Sequence, residues 1–562
     1  CLHIGCYSSG ACSGTVDGFV EIASAQQRFM TYNHFNASEG DVNFTPTVSM
    51  NNISFHNFGG EELSGGVLYF NGPIGVSLHN ISVYDSTGAN GGFVYASHGQ
   101  TTSYLSIIGL YIENCVADNG GGIYIGLNMS NIELNGVDIR YSASLLEDEY
   151  GSGGEALYGG GAIFIGWYNN DIYIHNVIIT ECTARTNGGG ILIINENSGV
   201  VISDIKITGC SSTYYGGGIF SHSNDDVLIS NGYFEDLKSG QQGGCIFTGY
   251  RADSFQIKDC YFGLCYAANG GSIYVGLGST QFSMESVLLN QSSATNGGAV
   301  MLAGLVANST MSNVHIQDTI GGSIYGGGIY IGTNNLDFII SNSSITNCGA
   351  TTGGGIYVLS GNDGFELHGT NITDCVATGN GGGLYVNEEN EDIHITDCIF
   401  SNNIAMEYGG GLSSNAYNPS MTIAGSIFEN NTAYHDGGGV YIVTEHPSFV
   451  MLDLDAYEGL EVIESQHPYT AGPHSDEENT LIYSSITIGS NDTIGYIINF
   501  DPLTKVKAID TVVISSLSEE ETHFYYFYYG SSSGYKETVE FISGAGWPGS
   551  TLPSLRIPGN IF

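Results

Sequence analysis

Basic residues are scarce in this chain. Lys and Arg together number 11 in 562 residues, against 56 Asp and Glu, a formal net charge of −45. A protein that tracks nucleic-acid phosphates needs a basic stripe, and one that settles on an anionic membrane needs a basic patch, so both classes are disfavoured. No run of about 18 apolar residues occurs, so no segment reads as a membrane-spanning helix. Heptads and helical caps in register are missing. No CxxC pairs with a second CxxC or with His at zinc spacing, and G-x-S-x-G, P-loop and H-E-x-x-H motifs are absent. The first residue is Cys1 and not Met, which reads as a processed product or a segment of something longer, from which a signal peptide would already be gone.

What is abundant is glycine, 83 residues, and it is periodic. A Gly-Gly-x-Ile/Leu/Val-Tyr-Ile signature recurs. The apolar residue after the glycines marks each copy: Leu68, Val94, Ile123, Ile163, Ile191, Ile219, Ile246, Ile273, Val300, Ile329, Ile356, Leu384, Leu412 and Val440. Successive marks lie 26 to 29 residues apart, except for one step of 40 between Ile123 and Ile163. A fixed period of this length means one structural unit stacked many times. Within Gly353 to Gly381, Gly354-Gly355-Ile356-Tyr357-Val358 is an apolar run and Ser360 to Gly364 a turn. Phe365-Glu366-Leu367-His368 alternates, and Thr370 to Ala377 holds a third strand. Three short strands and no helical period predict one coil of a right-handed parallel β-helix. A leucine-rich repeat lacks its Leu ladder here, and a propeller blade is longer. The glycines suit a corner that needs positive φ or close approach of coils. The reading is all-β, with about 14 or more coils of 27–28 residues, a rod of roughly 70 Å at about 4.8 Å per coil. Residues 1–60 hold an N-terminal cap and irregular first coils, 61–457 the β-helix, and 458–562 a second module. The long step places an acidic insertion at residues 145–155, either a binding loop or a tolerated surface loop.

Side-chain chemistry points outside the cell. N-glycosylation sequons begin at Asn36, Asn52, Asn80, Asn128, Asn290, Asn308, Asn342, Asn371, Asn430 and Asn491. A further one at Asn43 is set aside because Pro46 follows Thr45. There are 12 cysteines. Cys1, Cys6 and Cys12 crowd the N-terminus. Cys115, Cys182, Cys210, Cys265, Cys348 and Cys375 each fall eight or nine residues before a mark and so share one column. Cys182–Cys210 and Cys348–Cys375 come from successive coils, at a spacing compatible with disulfides; the other reading is a stack of small buried thiols. Cys260 and Cys398 share a second column position. The acidic surface is a candidate for Ca²⁺, although no EF-hand loop or repeated Asp-rich nonapeptide defines a site. No other cofactor is implied.

Two resemblances follow. Phe400-Ser401-Asn402-Asn403 and Phe428-Glu429-Asn430-Asn431, with the glycine signature, resemble the repeats of polymorphic outer-membrane adhesin passengers. From about Leu460 the chain changes. Glu464-Ser465-Gln466-His467-Pro468-Tyr469 opens a module, and Gly546-Trp547-Pro548-Gly549 with Ile557-Pro558-Gly559 ends its visible part. These motifs resemble the CUB-like β-sandwich modules of large extracellular proteins of protists and algae. The resemblance implies a sandwich over 458–562 that stops short of its last strands. A neighbouring subunit's strand can complete such an edge by β-strand addition.

Enzymatic readings were weighed on specific residues. A lyase of this fold needs a basic proton abstractor beside carboxylates, and Arg185 and Lys206 lie in adjacent coils but not evidently in one column. Asp225-Asp226 is the only Asp-Asp pair, in a turn where Asp is favoured for backbone reasons. His98 and His368 are isolated. Active β-helix enzymes break their repeat with long loops, and here one modest insertion occurs. Tyr124, Tyr274, Tyr330, Tyr357, Tyr385 and Tyr441 follow the mark residue and alternate with the inward Ile, so they face away from the core as an aromatic stripe for sugar or protein packing. The sequence therefore favours a non-enzymatic extracellular structural glycoprotein, a rod that self-assembles into a fibril, appendage or coat. An adhesin or carbohydrate-binding rod is the alternative, and a polysaccharide lyase or hydrolase the remote one.

Overall fold

The computed structural model describes residues 47–442 with breaks at 61–62, 73, 98–103, 147–157, 320–322, 416, 419 and 436. It also describes short strands on either side: Leu2–His3, Ser13–Ala25 and Met30–Asn33, then Val450–Leu452, Ile486–Ile488, Gly495–Tyr496, Val513–Ile514, Phe527–Gly530 and Lys536–Val539. The described residues are all strand, turn and irregular backbone, with no helix. The fold is a parallel β-solenoid of about 13 turns. It divides into two compact units, Cys1–Leu288 and Leu289–Phe562.

In the first unit the six coils that begin at Leu68, Val94, Ile123, Ile163, Ile191 and Ile219 contribute to three parallel sheets. A glycine-marked strand such as Ile123–Ile125 is followed by a long strand such as Ser130–Arg140 and a short one such as Ala143–Ser144. The marks are strand partners. Leu68 pairs with Val94, Val94 with Ile123, Ile123 with Ile163, and the column continues through Ile191, Ile219 and Ile246 to Ile273. The step of 40 therefore leaves the register intact. Most of the expected insertion, 147–157, lies outside the described residues; Leu145 and Tyr158 at its edges are exposed.

The long strands are bent. In Asn170–Thr180 the inward residues are Ile172 and Ile174, then Val177 and Ile179. The alternation slips by one at Asn176, which is left-handed at φ 53°. The same bend falls on Asn52, Asn80, Gly109, Gly136, Asp204, Asn231 and Asp259. Asn and Asp tolerate this conformation better than other side-chain-bearing residues, so a polar residue in mid-strand encodes the bend.

In the second unit the marks Val300, Ile329, Ile356, Leu384, Leu412 and Val440 again pair in order. One sequence reading needs correction. Thr370 to Ala377 is not a single third strand. Asn371–Thr373 belongs to the long sheet and Val376–Ala377 to the short one, because Asp374 turns the corner at φ 55°. The signature glycines do two jobs. Gly353 is left-handed at φ 66°. At Gly354 an added Cβ would sit 2.3 Å from the Gly382 carbonyl oxygen of the next coil, so the stacking itself requires glycine. Ile486–Ile488 pairs in parallel with Val440–Ile442, and Phe527–Gly530 pairs antiparallel with Lys536–Val539. The 457/458 boundary and the motifs that carry the CUB-like resemblance lie outside the described residues.

Candidate functional site

Within each unit the described sequons lie on corresponding parts of the coil. In the first unit Asn52 and Asn80 sit at the bend of the long strands, and Asn128 at the turn leading into Ser130–Arg140. In the second, Asn290 ends Ser283–Asn290, Asn308 lies in Ala307–Gln317, and Asn342 lies between Leu336–Ser341 and Ser344–Thr346. Asn371 starts Asn371–Thr373, and Asn430 follows Ile427–Glu429. All belong to the long sheet or its bordering turns. Asn52, Asn80, Asn128, Asn308, Asn342 and Asn430 are left-handed. Of these all but Asn52 are exposed, as is Asn371, whereas Asn52 and Asn290 are half-buried. Asn80 Nδ2 donates to Asn52 Oδ1 at 3.2 Å, so those two side chains form a step of a ladder. Asn36 and Asn491 lie outside the described residues.

The cysteine column is a column of hydrogen-bond acceptors. At the corner between the long and short sheets, a coil's amide finds its acceptor on a side chain of the next coil. Cys115 N–H donates to Ser142 Oγ at 3.3 Å, Cys182 N–H to Cys210 Sγ at 3.3 Å, Cys375 N–H to Asn403 Oδ1 at 3.0 Å and Asn403 N–H to Asn431 Oδ1 at 3.0 Å. Ser, Cys and Asn are interchangeable here because each is small and accepts a hydrogen bond. The F-x-x-N element has the same explanation. Phe400 and Phe428 stack inside the coil at 4.7 Å, and Asn403 and Asn431 line the corner.

Of the two readings open for Cys182–Cys210 and Cys348–Cys375, disulfides or buried thiols, the structure has the thiols. Cys182, Cys210, Cys348 and Cys375 are free, buried thiols. Cys182 Sγ donates to Thr180 O at 3.5 Å and Cys375 Sγ to Thr373 O at 3.3 Å. Burial holds Cys182 and Cys375 well above the ordinary thiol range, and pushes Cys115, Cys260 and Cys398 up to about 12. The disulfide present among the described residues joins Cys245 to Cys265. Its signal lay in the glycine signature: Cys245 occupies the third glycine position. In other coils that position faces the corner column of its own coil, since a Cβ at Gly355 would lie 3.4 Å from Cys375 Sγ and one at Gly328 3.5 Å from Cys348 Sγ. Cys1, Cys6 and Cys12 lie outside the described residues.

The tyrosines do alternate with inward aliphatic residues, but the stripe is not exposed: Tyr357 is buried and Tyr124, Tyr274, Tyr330, Tyr385 and Tyr441 are half-buried. Tyr124 stacks between Tyr95 at 4.9 Å and Phe164 at 4.5 Å, and Tyr274 on Phe247 at 5.4 Å. Phe164, Leu192, Ile194, Phe220 and Phe247 form a buried cluster outside the coil, against which Trp167 and Tyr215 also pack. In the second unit Tyr357 stacks on Tyr330 and Tyr385, each at 5.4 Å, while Tyr441 stacks on Tyr408 at 4.5 Å. Burial raises the phenols of Tyr95, Tyr124, Tyr330, Tyr357 and Tyr385.

The residues weighed for catalysis do not converge. Arg185 follows the short strand Thr183–Ala184, whereas Lys206 lies on the long strand Ser198–Thr208, its Nζ 5.3 Å from the Tyr233 ring centre. Asp225 and Asp226 are both exposed; burial and the neighbouring Asp253, Asp226 and Glu196 carboxylates raise Asp225. His368 Nδ1 lies 2.8 Å from Thr396 Oγ1 on the long sheet, and His98 is outside the described residues. Among the described residues no three His, Cys, Asp or Glu side chains are placed to hold a metal ion.

A surface cluster that the sequence did not single out lies on the long sheet of the first unit. Arg140 donates to both oxygens of Asp138, at 2.9 and 2.7 Å, and its guanidinium lies 5.7 Å from the Tyr111 ring centre. The Tyr111 hydroxyl donates to Glu113 at 2.8 Å. One coil on, Tyr173 and Ile178 are exposed. Tyr111 and Arg140 meet only once the coil register is known, because they come from successive coils.

No protein-family model matches this sequence, and no curated protein does. Among solved structures, the chain is similar to PfbA, a surface adhesin of Streptococcus pneumoniae. Identity is 11% and the TM-score 0.28, over 88% of this chain and 90% of that one. It is also similar to the A-module of the mannuronan C-5 epimerase AlgE4 of Azotobacter vinelandii, at 10% identity and a TM-score of 0.22, over 73% of this chain and 87% of that one. At these values neither likeness bears on what the chain does.

Proposed function

We propose that this chain is a non-enzymatic, N-glycosylated extracellular structural protein that self-assembles. The observation that carries the reading is the placement of the sequons. Asn80, Asn128, Asn308, Asn342, Asn371 and Asn430 are exposed, on the long sheet of their own unit or its turns, where a glycan projects from the coil without displacing the core. The Cys245–Cys265 disulfide adds support, since such bonds persist mainly in oxidising compartments. Strand addition at the terminal module is one route of assembly. The test is to secrete the full chain from a eukaryotic host, map glycopeptides by mass spectrometry and image the product by electron microscopy. Glycans at these asparagines and ordered multimers are expected. Unglycosylated, isolated particles at every concentration would sink the reading.

The adhesin or carbohydrate-binding reading is favoured by the Tyr111–Arg140–Asp138 cluster, where an aromatic ring lies beside a fixed carboxylate and guanidinium, the groups that meet a sugar's apolar face and its diols. Binding to a glycan array that Tyr111→Ala and Arg140→Ala each abolish would favour it over the structural reading.

A further inference from the structure

In the second unit the described sequon asparagines lie on the long sheet and its turns, and none lies on a strand of the short sheet. The short sheet is built from Ser323–Tyr325, Gly349–Thr352, Val376–Ala377, Ile404–Ala405 and Thr432–Ala433. The nearest described sequon asparagine, Asn430, sits in the turn at its border, and Thr432 completes that sequon. Ala350, Ala377, Ala405 and Ala433 are buried beneath it in one column. Above them Gly349, Val376, Ile404 and Thr432 are register partners facing outward. The next outward row is Thr351, Thr378, Met406 and Tyr434, all exposed, Met406 at 41% and Tyr434 at 40%. Neither row contains a charged residue, in a chain of net charge −45.

We propose that this face is where a second copy of the chain packs. Two copies of so acidic a molecule repel wherever their carboxylates meet, so these two uncharged rows, bordered by the exposed Asp374 and Glu407, are where like surfaces approach at least electrostatic cost. The patch is shallow, built of small β-branched residues, with Met406 and Tyr434 as its larger contacts, and homo-oligomers bury such self-complementary surfaces. The long sheet is excluded as the primary contact by the glycans that Asn308, Asn342, Asn371 and Asn430 would carry there. This part of the argument rests on the glycoprotein reading.

The test uses the full chain secreted from a eukaryotic host. Val376→Asn completes an Asn-Ala-Thr sequon with Thr378 and places a glycan on the face; the double variant Val376→Asn/Thr378→Ala removes the sequon again. Thr378→Glu puts a charge there without any glycan. Sedimentation velocity reads self-association, glycopeptide mapping reads occupancy, and circular dichroism confirms the strand content. The expected result is at least tenfold weaker self-association for glycosylated Val376→Asn and for Thr378→Glu, with the double variant within about twofold of the native chain. Unchanged association in Thr378→Glu overturns the proposal, as does a native chain that is monomeric at every concentration. Unoccupied native sequons would sink the glycoprotein reading alone, because the Thr378→Glu arm reads the face without glycans.

Discussion

The backbone amide of Cys182 donates to the sulfur of Cys210 in the next coil at 3.3 Å. The sulfur serves as an acceptor for an amide that the sheet ladders leave over at the corner. Cys210→Ser keeps an acceptor, as Ser142 shows one coil column earlier, and is expected to change stability little. Cys210→Ala leaves a buried amide unmet and is expected to cost about 1–3 kcal/mol. Denaturant unfolding of both variants checks this. Peptide mapping under non-reducing conditions should find Cys245 bonded to Cys265 and Cys182, Cys210, Cys348 and Cys375 free.

The third glycine position predicts a disulfide that the chain does not have. Gly328→Cys places a sulfur opposite Cys348, in the relation of Cys245 to Cys265. Other coils carry Ala162, Cys245 and Ala299 there, so a Cβ is tolerated. The variant should form a bond to Cys348 under oxidising conditions and resist unfolding by about 3 kcal/mol more than its reduced form, for a loop of this size. A free thiol at 328 after oxidation would refute the equivalence of the two positions.

Asn403 is buried and makes four hydrogen bonds to three groups. It accepts from Cys375 N–H at 3.0 Å and donates to Ile372 O at 2.8 Å and Asn431 Oδ1 at 3.0 Å, while its own amide donates to Asn431 Oδ1 at 3.0 Å. Asn403→Ala strands an amide and a carbonyl and is expected to destabilise by about 3 kcal/mol. Asn403→Ser restores one acceptor and should cost roughly half as much. Equal losses in the two would mean that packing, and not hydrogen bonding, holds the corner.

Alkaline pH should destabilise the fold. Cys115, Cys260 and Cys398 are pushed up to about 12 by burial, whereas an unfolded thiol ionises near pH 8.5. The folded state then holds protons that the unfolded state releases. Stability from these groups is complete below about pH 8.5 and is lost as pH rises from there toward 12. The urea midpoint is expected to be flat from pH 6 to 8 and to fall between pH 9 and 11. Replacing Cys260 and Cys398 by Ser should flatten part of that fall.

The repeat made the glycine-marked column legible, because within each unit successive mark residues proved to be strand partners. The bends were harder to read. Asn176 or Asp204 in a strand looks like an ordinary polar residue until its φ is known, so the long strand of Asn371–Thr373 and the corner at Asp374 were read as one element. The cysteine column was located correctly but its chemistry was open, since spacing fixes which residues are neighbours and not whether sulfur bonds to sulfur or to an amide. The Arg140 cluster could not be read at all, for it joins side chains that only coil stacking brings together.

The coil between Ile123 and Ile163 has a practical consequence. Arg140 still pairs with Thr180 and Ala143 with Thr183, so thirteen or so extra residues enter between neighbouring coils without moving either. That corner is a port: foreign sequence can be spliced between Leu146 and Tyr158 and carried as cargo, with the ladder on both sides acting as its frame.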